Sequence, residues 1–158
     1  PSTLPHDAYS HAVMNALDTN GLLGEDGGWT SYDCDNGEVM MMETIIELDL
    51  DKARAAGWDH GITLLWNHTH GMWQYGPARR DGHLQYVHDL ITGTTVPEPA
   101  DVVRASRILL GPDNGGLSAL PITGTTRTPA QIITPLLQAV LDEGGVEEET
   151  ARELSAYS

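Results

Sequence analysis

The residues best suited to chemistry in this sequence are two histidines in one short segment. His68 and His70 stand two positions apart in the string NHTHG, which predicts a tight hairpin loop. Two imidazoles in such a loop can turn to one side, where they could ligate a metal ion or exchange a proton with a carboxylate. The alternative is that each is solvated or bonds a backbone group. Since no HExxH helix and no CxxC pair accompanies them, we predict neither a metal site nor a cofactor.

A second candidate is a row of acidic residues in the segment 40–50. Glu43, Glu47 and Asp49 occupy odd positions there, and Asp51 follows just beyond. Side chains two apart share one face of a strand, and crowded carboxylates can take part in acid–base catalysis. The same pattern is typical of a solvated sheet face or of a surface that binds a basic protein. We predict that these four residues bind a partner.

The sequence lacks the motifs of the common enzyme classes. It contains no GxSxG, no phosphate-binding GxxxxGK[ST], and no GxGxxG placed after a strand. The acidic string DCDNGE at 33–38 does not keep the spacing of an EF-hand loop, because its glycine falls one position early. Cys34 lies between two aspartates, whose charges disfavour the reactive thiolate. These absences favour a protein that is not an enzyme.

The elements that would position these candidates are strands. The even positions hold Met40, Met42, Thr44, Ile46, Leu48 and Leu50, while Glu43, Glu47 and Asp49 interrupt the odd ones, and this period of two predicts a strand with one buried face. Shorter strands are predicted over 29–33, 62–66, 72–75 and 84–91, with the histidine loop joining the third and fourth strands in chain order. The glycine-rich residues 21–28 are typical of a loop.

Helices are predicted over 8–19, 99–110 and 128–141, where apolar residues recur every three or four positions. Thr128 and Pro129 would open the third helix, and Pro135 should bend or divide it. The order α-β-β-β-β-α predicts an α+β fold. Its sheet would be mostly antiparallel, with four or five strands, and covered by helices on one face.

The chain length predicts one core domain with an extension. Residues 1–111 would form the α+β core, 112–127 a linker or long loop, and 128–158 a C-terminal helical extension. The extension would pack on the core or on a second chain. We therefore predict that 128–141 is the segment that can form a homodimer contact.

Charge and composition exclude several classes of partner. The net charge of −15 repels phosphate backbones, so direct binding of nucleic acid is not predicted. No apolar run approaches the roughly 18 residues that a membrane span needs. The single cysteine leaves no intrachain disulfide, which favours a cytoplasmic location.

One stretch of the chain resembles a known family. The string ITLLWNHTHGMWQY at 62–75 combines a Leu-Leu-Trp strand, a His-Gly turn and a Trp strand, after a helix at 8–19 and before VPEPADVVRASRILL at 96–110. This arrangement resembles an uncharacterised family of small actinobacterial, Streptomyces-type proteins over roughly residues 8–110. The resemblance implies the layout and the source, and it implies no activity.

Three functions remain open at this point. The first is a non-enzymatic, acidic interaction or regulatory domain that binds a protein partner, which is our main prediction. The second is a mimic of nucleic-acid charge that inhibits a DNA- or RNA-binding protein, for which the acids of 25–51 and 142–153 must share one surface. The third is an enzyme of unknown type that uses His68 or His70 with a carboxylate.

Overall fold

The structure is a computed structural model that describes residues 4–35, 39–69, 71–111 and 117–158. Within these ranges the chain forms five α-helices and six strands. In chain order they are α1 (Asp7–Thr19), β1 (Leu23–Asp35), β2 (Val39–Leu48), α2 (Leu50–Ala55), β3 (Ile62–Asn67), β4 (Met72–Pro77), β5 (His88–Thr92), α3 (Pro99–Leu109), β6 (Ile122–Thr123), α4 (Pro135–Asp142) and α5 (Glu148–Ser155). None of the helices in the described ranges is long and apolar enough to cross a membrane.

The six strands form one sheet in the order β1-β2-β3-β4-β5-β6. Neighbours from β1 to β5 pair antiparallel, and β6 pairs parallel with β5. The predicted α+β class and the mostly antiparallel sheet are confirmed. The predicted number of four or five strands is wrong, because the sheet has six. The sixth, the two-residue β6, lies inside the segment 112–127 that was predicted to be a linker or long loop.

One face of the sheet is buried beneath helices. Met42, Thr44, Ile46 and Leu48 of β2 are all buried, as the alternating pattern predicted. Helix α1 packs on this face, and its Ser10 hydroxyl lies 2.6 Å from the hydroxyl of Thr44. Helix α3 packs beside α1, and both contribute their apolar stripes to the core.

Three tryptophans anchor the core through their indole N–H groups. Trp58 donates to the Leu109 carbonyl and Trp66 to the Thr95 carbonyl, each at 2.7 Å. Trp73 donates to the Tyr9 hydroxyl at 3.0 Å. A buried ring whose polar atom is bonded adds a large apolar area without an unpaired donor, so these residues stabilise the layer between helices and sheet.

The helix predicted over 128–141 is wrong in its first half. Helix α4 begins at Pro135, with Thr134 as its N-cap. Proline lacks the N–H that a helix interior needs but fits the first position, so it starts the helix here and does not bend it. Helices α4 and α5 pack on the core, since Leu137, Val140 and Leu154 belong to the same buried cluster as the sheet residues.

Two predictions for the shorter strands also need correction. Residues 21–28 were expected to be a loop, but β1 begins at Leu23 and pairs with β2 through a bulge between Leu23 and Gly28. Only glycine fits at position 28, because the Cβ of any other residue would lie 2.6 Å from the Ile45 carbonyl oxygen and clash with it. The strand predicted over 84–91 begins at His88, and Leu84 makes only an isolated bridge to Ala78.

The chain between α3 and α4 is fixed to the core where the structure describes it. Asp101 of α3 is buried, and its carboxylate accepts bonds from the Thr125 N–H at 2.7 Å and from the Thr125 hydroxyl at 2.9 Å. The Glu98 N–H also donates to the Thr125 carbonyl at 2.8 Å. These bonds hold the chain just after β6 against the start of α3.

Candidate functional site

On the second face of the sheet the described side chains of the strands are half-buried or exposed, and we call it the open face. Residues directly opposite in a sheet share a face, so the strand register defines its members. They are half-buried or exposed, and comprise Trp29, Ser31, Glu43, Ile45, Glu47, Thr63, Leu65, Asn67, Met72, Gln74 and Asp89.

An apolar row crosses the open face. Trp29 lies opposite Ile45, and Ile45 lies opposite Leu65. Adjacent strands are about 4.8 Å apart, so the row spans about 10 Å across three strands. We use the name apolar row for these three residues. Beyond Leu65 the same line continues into the polar side chains of Gln74 and Asp89, the amide donating to the carboxylate at 3.2 Å.

Trp29 differs from the three other tryptophans. Its side chain is 49% exposed, whereas Trp58, Trp66 and Trp73 are buried. A large exposed ring on an otherwise well-formed sheet is typical of a binding surface, where tryptophan is among the most frequent energetic anchors. This role could not be predicted from the sequence, because the residue type is the same at all four positions and only the fold determines which ring is exposed.

Acidic side chains flank the apolar row. Glu43 and Glu47 lie two positions before and after Ile45 on β2, each about 7 Å from it along the strand. The register places both carboxylates on the same face of the strand, as their spacing predicted. None of the six described strands contains a lysine or arginine, so no basic side chain of the sheet neutralises them.

The other two predicted acids do not lie on the strand. Strand β2 ends at Leu48, and Asp49 is the N-cap of α2, where its carboxylate accepts the Lys52 N–H at 2.9 Å. Asp51 lies in the first turn of the same helix. Both positions are favourable for a negative charge, because the N–H groups at a helix start are unpaired. Their partner-binding role stays a prediction, separate from the open face.

His68 is held by the backbone at both ring nitrogens. The Met42 N–H donates to Nδ1 at 3.1 Å, and Nε2 donates to the Gly145 carbonyl at 2.7 Å. This pattern fixes the neutral tautomer with the proton on Nε2. The ring therefore links β2 to the α4–α5 connection and offers no free nitrogen to a metal ion or substrate. His70 lies outside the described residues.

His6 is a buried histidine that the sequence analysis did not single out. It is 1% exposed, lies near the Trp66 ring, and donates from Nε2 to the Glu43 carbonyl at 2.7 Å. Its Nδ1 has no hydrogen-bond partner among the described residues. Burial lowers the pKa of His6 below its ordinary value, against the opposing effects of the Glu43 carbonyl and of Asp7.

A small cavity adjoins the edge of the open face. It has a volume of about 220 Å³, and its lining includes Glu25, Asp26, Glu47 and His60. His60 thus shares this cavity with Glu47, a carboxylate of the predicted acidic row. In the described ranges no three His, Cys, Asp or Glu residues come together as metal ligands would.

The segment predicted to form a homodimer contact is partly exposed. Ile132 is 83% and Leu136 46% exposed, while Leu137 and Val140 of the same segment are buried in the core. The homodimer through 128–141 stays a prediction, and it would rest on these two exposed side chains.

Comparison with family models, curated proteins and solved structures finds no match to this chain. The actinobacterial resemblance therefore stays a prediction.

Proposed function

We propose that this chain is a non-enzymatic interaction domain whose open face binds a basic segment of a partner protein. The observation that supports this most directly is the position of the apolar row between Glu43 and Glu47. Such an arrangement can bury apolar side chains of a partner while the two carboxylates meet its lysines or arginines. The exposed Trp29 ring would contribute most of the apolar contact.

The charge distribution favours a basic partner over a neutral one. All basic residues of the chain lie in helices or connections, and the strands carry acids alone. The surrounding field of a chain with net charge −15 attracts a positively charged segment from a distance, and this speeds association.

The two alternatives have weaker support. A mimic of nucleic-acid charge needs its acids on one surface. However, the acidic helix α5 packs against α1, which covers the opposite face of the sheet from Glu43 and Glu47. An enzyme that uses His68 needs a free ring nitrogen, and both nitrogens of His68 are bonded to backbone groups. The form of this alternative that uses His70 stays a prediction, because His70 lies outside the described residues.

A fluorescence-anisotropy titration with a labelled peptide that repeats Lys-Ser-Val-Ser, called the lysine–valine peptide, tests the proposal, because lysine and valine then share one face of the extended peptide. We expect it to bind more tightly than the lysine–serine peptide, in which serine replaces every valine, because serine cannot use the apolar row. The double substitution Glu43→Gln and Glu47→Gln should weaken binding about two- to thirtyfold, from two partly exposed ion pairs. Trp29→Ala should weaken it about tenfold or more.

The matched control removes two charges elsewhere. Glu143 and Glu147 are exposed and flank the α4–α5 connection. The variant Glu143→Gln with Glu147→Gln should leave binding nearly unchanged. Equal weakening by both double variants, or equal binding of the valine and serine peptides, would mean that the chain attracts any cation and would refute a specific open face.

A further inference from the structure

Strand β1 forms one edge of the sheet. It pairs with β2 on one side, and in the part of the chain that the structure describes no strand lies beside its other side. From Gly28 to Asp35 the pairing with β2 is continuous and without a bulge. In an antiparallel ladder alternate residues direct their N–H and C=O groups away from the neighbour, so this edge presents a row of outward backbone groups.

The edge lacks two of the protections that exposed strands often carry. Natural edge strands are commonly short, or contain lysine or proline that hinders another strand. Strand β1 has 13 residues and contains neither. Its bulge lies near the start, between Leu23 and Gly28, and leaves the regular stretch unaffected. By contrast, β6 at the opposite edge has two residues and is too short to pair with a further strand.

The charges of β1 decide which occupant fits the edge. The strand contains Glu25, Asp26, Asp33 and Asp35 and no basic residue. A second copy of the chain, paired β1 to β1, would bring acidic strands side by side, and like charges across a ladder are destabilising. An extended segment that carries lysine or arginine would instead place opposite charges across the ladder.

The edge and the open face meet at Trp29. This residue belongs to β1, and its side chain lies at the outer end of the apolar row. A strand added beside β1 would direct alternate side chains to the open face, where the nearest would extend the row beyond Trp29. One extended segment could thus use the backbone edge, the indole ring and the acidic charge together.

We propose that the partner segment is extended and basic, and that it adds to the outer edge of β1 as a further strand. This inference rests on the proposed function and specifies how the partner binds. Backbone hydrogen bonds would supply affinity, while the apolar and basic side chains would supply specificity.

The test compares the lysine–valine peptide with the same peptide N-methylated at its backbone nitrogens. Methylation preserves the side chains and the charge but removes the donors that pair strands. We expect the methylated peptide to bind about tenfold or more weakly. Amide exchange measured by NMR should slow for residues of β1 between Gly28 and Asp35 when the unmodified peptide binds.

The outcomes separate this inference from the proposed function. If both peptides bind equally and amide exchange in β1 is unchanged, while the Glu43→Gln, Glu47→Gln variant still weakens binding, the strand addition is refuted and the open face stands. If the lysine–valine peptide binds no better than the lysine–serine peptide, the proposed function is refuted and this inference falls with it.

Discussion

At the scale of single residues, His6 connects the stability of this fold to pH. Its ring is buried beside Trp66, and burial lowers the pKa of His6 from its ordinary value of 6.5. The unfolded chain therefore binds a proton more readily than the native chain as pH falls below 6.5. The stabilising contribution is complete above that value and is lost progressively as the pH falls through the lowered native pKa.

We predict that the free energy of unfolding in urea decreases between about pH 7.5 and about pH 5, and that His6→Gln reduces this decrease. The glutamine amide can donate to the Glu43 carbonyl as Nε2 does, but it does not titrate. The groups facing the ring are Asp7, which opposes the shift, and His68, which adds to it. His11→Gln, an exposed residue on α1, is the control. Identical pH profiles of the wild type and His6→Gln would contradict the assignment.

At the scale of elements, Asp101 fixes the segment after β6 to helix α3. Asp101→Ala removes the carboxylate that accepts both Thr125 bonds. The Thr125 N–H and hydroxyl then stay partly buried and lose this acceptor. We predict a loss of about 2–4 kcal/mol in the free energy of unfolding, measured by urea titration of tryptophan fluorescence, because unpaired groups in the interior are costly. Amide exchange of Thr125 should also accelerate.

The control for this prediction is the charge partner of Asp101. Arg104 lies 3.3 Å from the carboxylate, but its side chain is 56% exposed. Arg104→Ala should therefore cost about 1 kcal/mol or less. If Asp101→Ala destabilised the chain no more than Arg104→Ala, the carboxylate would not be what holds β6 in place.

Among the helices and strands, some could be predicted from the sequence and others could not. The alternation of β2 revealed its buried face, because a single strand holds all the information for that pattern. Helices α1 and α3 were predicted within about one residue at each end. The start of α4 was missed, because the apolar spacing continued through 128–134, where Pro135 prevents the helix from extending backward.

The open face was predicted only in part, for a related reason. Glu43 and Glu47 share a strand, so their common face follows from their spacing. The position of Trp29 opposite Ile45 depends on the register between β1 and β2, and glycine-rich residues before it conceal both the strand and its bulge. The bond from His68 to Gly145 joins residues 77 positions apart, a distance at which sequence periodicity carries no information.

At the scale of the whole molecule, charge acts on folding and on binding in opposite directions. The chain has a net charge of −15, so its excess acidic groups repel one another in the compact state. The strands contribute acids to this excess and contain no lysine or arginine. The proposed partner carries the opposite charge, so the same field attracts it. Salt screens both effects, with a Debye length of about 10 Å at 0.1 M.

We predict that raising sodium chloride from about 20 mM to about 500 mM increases the melting temperature of the chain and weakens its binding of the lysine–valine peptide. Differential scanning calorimetry and anisotropy titrations at the same salt concentrations provide the two measurements. The part of the affinity that comes from the apolar row should persist at high salt, where Trp29→Ala should still weaken binding. If high salt abolished all difference between Trp29→Ala and the wild type, the attraction would be electrostatic alone, and the apolar row would have no part in recognition.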